Sequence, residues 1–225
     1  MDTVVVTGAT GGIGHAVTAA FLDSGDRVVA SGRDREALDT LVAAQEDGDA
    51  PISGVVADVR DEYDVERLVE TAARRGDGID VLIPCAAVNH GTAGETPLAT
   101  ASYAAFDDTL RTNVRGVFAT VREAVPHLND GARVLIPTCP VTDSSGAGEG
   151  AYGVSKAAAE TVAAVFAAEL DAGVGVVDPG VVATELTGGE GRDPAEAAAL
   201  FVDAARRSTT ALNGERIDHR SRRES

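Results

Sequence analysis

A tyrosine and a lysine stand four positions apart in the segment Tyr152-Gly153-Val154-Ser155-Lys156. Residues with this spacing lie on the same face of a helix, one turn apart. An ammonium group beside a phenol favours the phenolate and lowers its pKa from about 10. Tyr152 could then donate and accept a proton near neutral pH. Lys156 is the only lysine of the chain, and arginine does not imitate its compact charge. The pair therefore predicts acid–base chemistry, with a chance surface pair as the alternative.

Glycines recur close to the N-terminus, where residues 7–14 include Gly8, Gly11, Gly12 and Gly14. This stretch follows a run of β-branched residues, which is typical of a buried strand, and precedes a helical pattern. Glycines at such a turn allow a tight bend and a close approach of the backbone to a pyrophosphate. The N-terminus of the following helix supplies N–H donors to the same anion. The stretch therefore predicts a dinucleotide-binding turn.

Both patterns lie within a regular alternation of strands and helices. Strands are predicted at 3–7, 27–31, 52–57, 80–83, 132–136, 174–178 and 215–218. Helices are predicted at 13–22, 35–45, 62–75, 102–128, 151–172 and 194–207. The strands are apolar on both faces, as in a parallel sheet covered by helices on both sides. We expect a single α/β domain over residues 1–218, with a doubly wound parallel sheet of the Rossmann type, and a polar tail over 219–225. Its ligand cleft would lie at the carboxyl ends of the strands.

The order and spacing of five motifs resemble the short-chain dehydrogenase/reductase family over nearly the whole chain. The glycine turn and the Tyr152–Lys156 pair are two of these motifs. The others are Asp58 after the third strand, Asn113 in the long helical segment, and a Pro-Gly turn with Thr184 after the sixth strand. The resemblance implies an oxidoreductase that transfers a hydride between a nicotinamide cofactor and a carbonyl or alcohol substrate.

The resemblance also implies a role for each matched residue. Tyr152 would exchange a proton with the substrate oxygen. Lys156 would bind the nicotinamide ribose and tune Tyr152, while Asn113 would hold a relay water. Asp58 would contact the adenine ring. The predicted cofactor-binding residues are Gly8, Thr10, Gly11, Gly12, Ile13, Gly14, Arg33, Asp58, Val59, Ala86, Lys156, Pro179, Gly180, Val182 and Thr184.

Two segments depart from the family pattern. Residues 84–87 read Pro-Cys-Ala-Ala where the family has Asn-Asn-Ala-Gly, so one backbone donor and both amide side chains are missing. Cys139 stands where the family has its substrate-binding serine, and a thiol is a weaker donor than a hydroxyl. We favour Cys139 as the positional equivalent of that serine, with the neighbouring Thr138 as the alternative source of a hydroxyl. The other interpretation of Cys139 is a small, buried core thiol.

The choice between NADP and NAD depends on the end of the second strand. NAD-preferring enzymes place an acid there for the ribose 2′-hydroxyl, and NADP enzymes use a basic group for the 2′-phosphate. Gly32 occupies the position of the acid and Arg33 follows it, which favours NADP. Asp34 is adjacent, and Gly11 stands where NADP-dependent members often carry a basic residue; both favour NAD. NADP is the preferred cofactor, with a solvated loop arginine as the alternative interpretation of Arg33.

Charge and composition exclude several partners. With 36 acidic and 19 basic residues, the net charge of −17 disfavours nucleic acid. An acidic surface with arginine in place of lysine is typical of halophilic proteins, and a GC-rich genome is the alternative explanation.

We see no apolar run of membrane-spanning length and no signal peptide, so we expect a cytoplasmic protein with no membrane partner. Cys85 and Cys139 are expected to be free thiols, and the spacing of histidines and cysteines predicts no metal site.

Alanine-rich faces on the helices that begin at 102 and 151 favour close helix packing between subunits. Together with the family resemblance, they imply a homodimer or a homotetramer.

The loop 185–193 is short and rich in glycine, and we expect a flexible lid over an open pocket. The identity of the substrate does not follow from this sequence.

Two other functions fit part of the pattern. Gly8, Gly11 and Gly14 also fit the glycine spacing of sugar-nucleotide epimerases, but those enzymes need a further substrate domain for which too few residues follow the sixth strand. A regulatory or redox-sensing NAD(P)-binding protein with little turnover is the main alternative, because Cys139 replaces the usual serine. The Tyr-Lys pair favours an enzyme, since binding alone needs no tuned tyrosine.

Overall fold

The computed structural model describes residues 1–45, 48–92, 94–139 and 147–219. Its strands are β1 (Thr3–Thr7), β2 (Arg27–Gly32), β3 (Ile52–Val56), β4 (Ile79–Pro84), β5 (Leu128–Pro137), β6 (Gly173–Asp178) and β7 (Arg216–Asp218). They form one parallel sheet in the order β3-β2-β1-β4-β5-β6-β7. The strand order reverses between β1 and β4. The sheet is therefore doubly wound with its switch point there, and the predicted fold class is confirmed.

The described helices are α1 (Gly12–Asp23), α2 (Arg35–Ala43), α3 (Glu62–Gly76), α4 (Tyr103–Leu110), α5 (Gly116–Ala124), α6 (Gly150–Glu169), α7 (Pro194–Ala205) and α8 (Thr209–Leu212). They cover both faces of the sheet. Val4 and Val6 of β1 lie in one core cluster with Phe21 of α1 and Phe201 of α7. Val5 lies in the other cluster, with residues of α3, α5 and α6. Burial on both faces explains why the strand is apolar at successive positions.

The prediction of a single helix over 102–128 is wrong. One π-helical turn over Arg111–Arg115 separates α4 from α5, and there the amide of Gly116 donates to the carbonyl of Arg111. Such turns are inserted into α-helices frequently at functional sites, and this one contains Asn113. Beyond it, α5 ends at Ala124 because Pro126 cannot continue a helix. A 3₁₀ turn over Val125–His127 follows, and β5 begins at Leu128, earlier than the predicted position 132.

The two ends of the predicted domain differ in how much of them is described. The N-terminal strand is fully buried. At the C-terminus, His219 Nε2 lies 3.1 Å from the carbonyl oxygen of Pro179, so the first residue of the predicted tail contacts the Pro-Gly turn. The rest of that tail, 220–225, lies outside the described residues. None of the helices within the described ranges combines the length and apolar character that crossing a bilayer requires.

Candidate active site

A cleft of about 430 Å³ lies beyond the carboxyl ends of the central strands. It begins at the turn between β1 and α1 and reaches the start of α6. Most predicted site residues line it: Gly8, Thr10, Gly11, Gly12, Ile13, Gly14, Arg33, Asp58, Val59, Ala86, Thr138, Cys139, Tyr152, Lys156, Gly180, Val182 and Thr184. Asn113 and Pro179 are buried beside the cleft and do not line it.

The glycine turn is packed so tightly that side chains would not fit. Gly8 has a φ of +65°, and a Cβ there would lie 2.7 Å from the Cα of Ala86. A Cβ on Gly14 would lie 2.2 Å from the carbonyl oxygen of Gly8. Gly11, by contrast, is exposed and its Cβ would have 3.4 Å to the nearest atom. The turn therefore leaves open space on the side that faces the cleft.

The N-terminus of α1 is suited to an anion. Gly11 is its N-cap and provides no side-chain hydrogen bond to the first turn. Other helices of the described chain are capped by side chains, for example α2 by Asp34 and α3 by Asp61. The first amides of a helix carry partial positive charge and need acceptors. An uncapped terminus at the cleft, behind a glycine turn, fits the pyrophosphate of a dinucleotide.

Tyr152 and Lys156 meet in the cleft as their spacing predicts. Lys156 is buried, and its Nζ lies 5.4 Å from the centre of the Tyr152 ring and donates to the carbonyl of Pro137 at 3.2 Å. The expectation that the pKa of Tyr152 is lowered is wrong for the protein alone. Burial raises that pKa, and the Lys156 charge opposes the rise without overcoming it. Tyr152 therefore holds its proton at neutral pH.

Asn113 is fixed by its own side chain. Its Oδ1 accepts from the amide of Val88 at 2.8 Å, and its Nδ2 donates to the Val88 carbonyl at 2.9 Å and to Ser155 Oγ at 3.0 Å. The Ser155 hydroxyl donates to the carbonyl of Tyr152 at 2.7 Å. These bonds tie the π-helical turn and the segment after β4 to the helix that carries Tyr152. The side-chain amide is engaged in positioning, and the relay water that the resemblance implies at Asn113 stays a prediction.

The two cysteines lie at the ends of neighbouring strands, β4 and β5, and both line the cleft. Burial raises the pKa of each thiol to about 11, with the Lys156 charge opposing the rise. Both are free in the structure, as expected. A thiol with so high a pKa is protonated at neutral pH, so it is a weak nucleophile and a weak hydrogen-bond donor.

Thr138 also lines the cleft, but its hydroxyl has another partner. Thr138 Oγ1 donates to Glu160 Oε1 at 2.5 Å. Glu160 is paired with Arg216 at 3.0 Å, and Arg216 pairs with Asp178 at 2.7 Å. Asp178 then accepts from the amide of Gly180 at 2.8 Å. This chain of contacts runs from β5 through α6 and β7 to the Pro-Gly turn, and it was not predicted from the sequence.

The opposite end of the cleft carries Arg33 and Asp58. Asp34, which the sequence left as a competitor for the ribose, accepts instead from the amide of Ala37 at 3.1 Å as the cap of α2. Asp58 binds Arg60 through both carboxylate oxygens, at 3.0 Å or less. This hydrogen bonding lowers the pKa of Asp58, although partial burial opposes the shift. The Asp58 carboxylate is thus bound by Arg60 at the same end of the cleft as Arg33.

Hydrogen bonds anchor the base of the loop over 185–193, for which the sequence predicts a flexible lid. Thr184 and Thr187 form a capping box around a 3₁₀ turn at Glu185–Thr187. Val182 also pairs with Arg192 as an isolated bridge. Leu186 and Thr187 line the cleft. Hydrogen bonds across the base of the loop, together with the positive φ angles of Gly188, Gly189 and Gly191, set its conformation.

The sequence reasoning missed several residues of the cleft lining, among them Glu149 and Thr112. Thr112 precedes the predicted Asn113, so its place in the lining follows from the π-helical turn. Glu149 stands three positions before Tyr152 at the N-cap of α6. That spacing could have drawn attention to it, since residues three apart at a helix start share a face.

Comparisons with known proteins agree with this geometry. The short chain dehydrogenase family model matches residues 2–195. NADPH-dependent aldehyde reductase 2 of Arabidopsis thaliana, a chloroplastic protein, is 31% identical over 202 residues, covering 81% of this chain and 72% of that protein. The 2-(R)-hydroxypropyl-CoM dehydrogenase of Xanthobacter autotrophicus is 33% identical over 190 residues, covering 81% and 75%.

The fold is also found in solved structures. A short-chain dehydrogenase/reductase of Brucella melitensis, described as a glucose/ribitol dehydrogenase, superposes with a TM-score of 0.86 at 28% identity, over 96% of this chain and 94% of that one. The matched family region contains the glycine turn, Asn113 and the Tyr152–Lys156 pair. The chain therefore belongs to the short-chain dehydrogenase family.

Proposed function

We propose that this protein is an NADP-dependent oxidoreductase that interconverts a carbonyl compound and its alcohol, with Tyr152 as the acid–base group. The observation that carries the proposal is one cleft that joins an uncapped helix N-terminus to a buried Tyr-Lys pair. When bound, the nicotinamide cofactor supplies or accepts the hydride. The chain supplies the binding site, the orientation and the proton.

In the direction of reduction, Tyr152 donates its phenolic proton to the oxygen that becomes the hydroxyl. Its raised pKa keeps the proton in place at neutral pH, which suits an acid. The phenolate that remains lies beside Lys156, whose ammonium stabilises the new negative charge. In oxidation the same phenolate takes the proton back from the alcohol. The bonds from Asn113 to Ser155 and from Ser155 to Tyr152 hold the helix start in register for this exchange.

The residues of the glycine turn would hold the pyrophosphate at the N-terminus of α1. Lys156 would reach the ribose next to the nicotinamide, and Gly180, Val182 and Thr184 would contact the nicotinamide. Asp58 would lie at the adenine. These assignments rest on the common lining of the cleft and on the family motifs.

The preference for NADP over NAD rests on Arg33. Arg33 lines the cleft, whereas Asp34 caps α2 and does not line it. An Arabidopsis relative at 31% identity is named for its dependence on NADPH. A guanidinium binds a phosphate through charge-assisted hydrogen bonds.

Binding measurements with matched variants test this preference. Arg33→Ala is expected to weaken NADPH binding about tenfold and leave NADH binding within about twofold. Arg35→Ala, which removes the same charge outside the cleft lining, is the control. Equal losses for both cofactors in the Arg33 variant would contradict the assignment.

Turnover measurements test the proposed function itself. The purified protein is given NADPH and a panel of small aldehydes and ketones, and cofactor oxidation is followed by absorbance. Tyr152→Phe removes only the hydroxyl and is expected to lower kcat by at least about 100-fold. NADPH binding without turnover of any carbonyl, in either direction, would favour the regulatory alternative. The raised thiol pKa values already count against a redox-sensing form of it.

We also propose that the protein forms a homodimer through α5 and α6. Phe118 of α5 and Val154 and Val165 of α6 are exposed apolar residues, 44%, 39% and 50% accessible. Phe118 stacks on Phe166 across the two helices, with ring centres 6.1 Å apart. A second copy would cover this surface. Light scattering is expected to give twice the chain mass or more for the wild type, and a smaller species for Val165→Asp.

A further inference from the structure

A carboxylate with no assigned role faces the chemical end of the cleft. Glu149 lines the cleft together with Tyr152 and Cys139. Its charge is felt at both groups: burial is the main cause that raises the pKa of Tyr152 and of Cys139, and Glu149 adds to each rise. Glu149 therefore lines the same cleft as the proposed acid–base group and the cysteine beside it.

The backbone around Glu149 is built to hold it there. Gly148 and Gly150 flank it with φ angles of +86° and +52°. The amide and the hydroxyl of Thr96 both donate to the carbonyl of Gly148, at 2.9 and 2.8 Å. A Cβ on Gly148 would lie 2.0 Å from the carbonyl oxygen of Gly94, and one on Gly150 would lie 2.3 Å from that of Thr96. Two glycines and one threonine thus fix the backbone that carries Glu149 at the edge of the cleft.

Among the residues that the structure describes, Glu149 differs from the other acidic groups at the cleft in having no partner. Asp58 is bound by Arg60, and Glu160, behind Thr138, is bound by Arg216. Within the described ranges, the Glu149 carboxylate forms no hydrogen bond or ion pair, although it stands at the N-cap of α6. The ammonium group of Lys156 donates to the carbonyl of Pro137 and not to Glu149. The negative charge of Glu149 is therefore available to a ligand in the cleft.

We propose, building on the proposed oxidoreductase function, that Glu149 selects carbonyl or alcohol substrates that carry a hydrogen-bond donor next to the reacting carbon. A protonated amine satisfies the carboxylate best, a hydroxyl satisfies it less well, and an alkyl group leaves it without a partner. A carboxylate at the same place is repelled. The preferred order is amino ketone, hydroxy ketone, simple ketone and keto acid.

A matched series of small ketones tests this order. Aminoacetone, hydroxyacetone, butanone and pyruvate share a methyl ketone and differ in the neighbouring group. Each value of kcat/KM for Glu149→Gln is divided by the wild-type value, which cancels the intrinsic reactivity of the ketone. Because hydrogen bonds to charged groups are the stronger ones, the ratio for aminoacetone is expected to fall about tenfold or more relative to that for butanone. The ratio for pyruvate is expected to rise relative to that for butanone.

Glu185→Gln is the matched control. Glu185 is exposed beside the cleft and is not part of its lining, so this variant makes the same change of charge without touching the proposed subsite. It is expected to leave the order of the four ketones unchanged. Equal ratios for all four ketones in Glu149→Gln would overturn the inference while leaving the oxidoreductase function intact.

A binding measurement separates this inference from the proposed function. Calorimetric titration of 1-amino-2-propanol into the protein with NADP⁺ is expected to show binding that weakens about tenfold in Glu149→Gln. If no carbonyl compound is turned over, the oxidoreductase proposal fails, and this titration alone decides whether Glu149 binds a cation. Unchanged binding in the variant would refute the role of Glu149.

Discussion

Replacing Cys139 by serine is expected to make the protein a faster catalyst. Cys139 lines the cleft beside Tyr152, and its thiol, with a pKa of about 11, is protonated and a poor donor at neutral pH. Serine adds an O–H donor of similar size at the place where the substrate oxygen must lie. One neutral hydrogen bond gained in the transition state contributes roughly 0.5–1.5 kcal/mol, which is about threefold to tenfold in kcat/KM.

The neighbouring threonine provides the contrast. Thr138 Oγ1 donates to Glu160 at 2.5 Å, so it is not available to a substrate. Thr138→Val is expected to keep kcat/KM within about twofold and to lower the unfolding free energy by about 1 kcal/mol, because Glu160 keeps Arg216 but loses a donor. Steady-state kinetics with one neutral aldehyde and NADPH give the first value, and urea denaturation gives the second.

The same exchange at the other cysteine is the control. Cys85→Ser changes the same atom at the end of β4, and it is not expected to raise turnover. Loss of activity in Thr138→Val combined with no gain in Cys139→Ser would show that the substrate hydroxyl comes from Thr138. That result would refute the positional assignment of Cys139.

Three further predictions follow from burial and charge. Lys156→Arg is expected to lower kcat by about 100-fold or more, because a planar guanidinium does not reproduce the compact ammonium charge beside the Tyr152 ring; kinetics that keep most of the turnover would contradict this. Cys85 and Cys139 are expected to react slowly with a disulfide reagent at pH 7.5, with rates that rise about tenfold per pH unit and level off near pH 11, since only the thiolate reacts; fast labelling at pH 7.5 would revive a redox-sensing function. The melting temperature is expected to rise between about 0.1 M and 3 M salt, because the net charge of −17 repels itself in dilute buffer; a flat or falling trend would contradict a halophilic surface.

Local patterns were enough to predict most of the sheet and the ends of its strands. The glycine turn, the strand that precedes it and the Tyr152–Lys156 spacing are encoded within short segments, and short-range rules apply to them. The cleft follows from strand order, because carboxyl ends of parallel strands gather at one edge. Most of the predicted cofactor residues therefore line the cleft.

Features that depend on distant contacts could not be predicted in the same way. The π-helical turn at Arg111–Arg115 is joined through Asn113 to Val88, which is 25 positions away. The pair of Glu160 and Arg216 joins residues 56 positions apart. The direction of the Tyr152 pKa shift depends on how deeply the ring is buried, and the spacing to Lys156 carries no information on burial. Each of these features requires the tertiary structure.

Isotope transfer is the most direct test of the central claim. The protein is incubated with NADPH that carries two deuterium atoms at C4 of the nicotinamide and with a small aldehyde or ketone, and the product is analysed by mass spectrometry. The account predicts one deuterium on the former carbonyl carbon of the alcohol with the wild type, and at least about 100-fold less labelled alcohol in the same time with Tyr152→Phe. Labelled alcohol at the same rate from both proteins would contradict the role of Tyr152. Cofactor binding with no labelled alcohol from the wild type would contradict the oxidoreductase function.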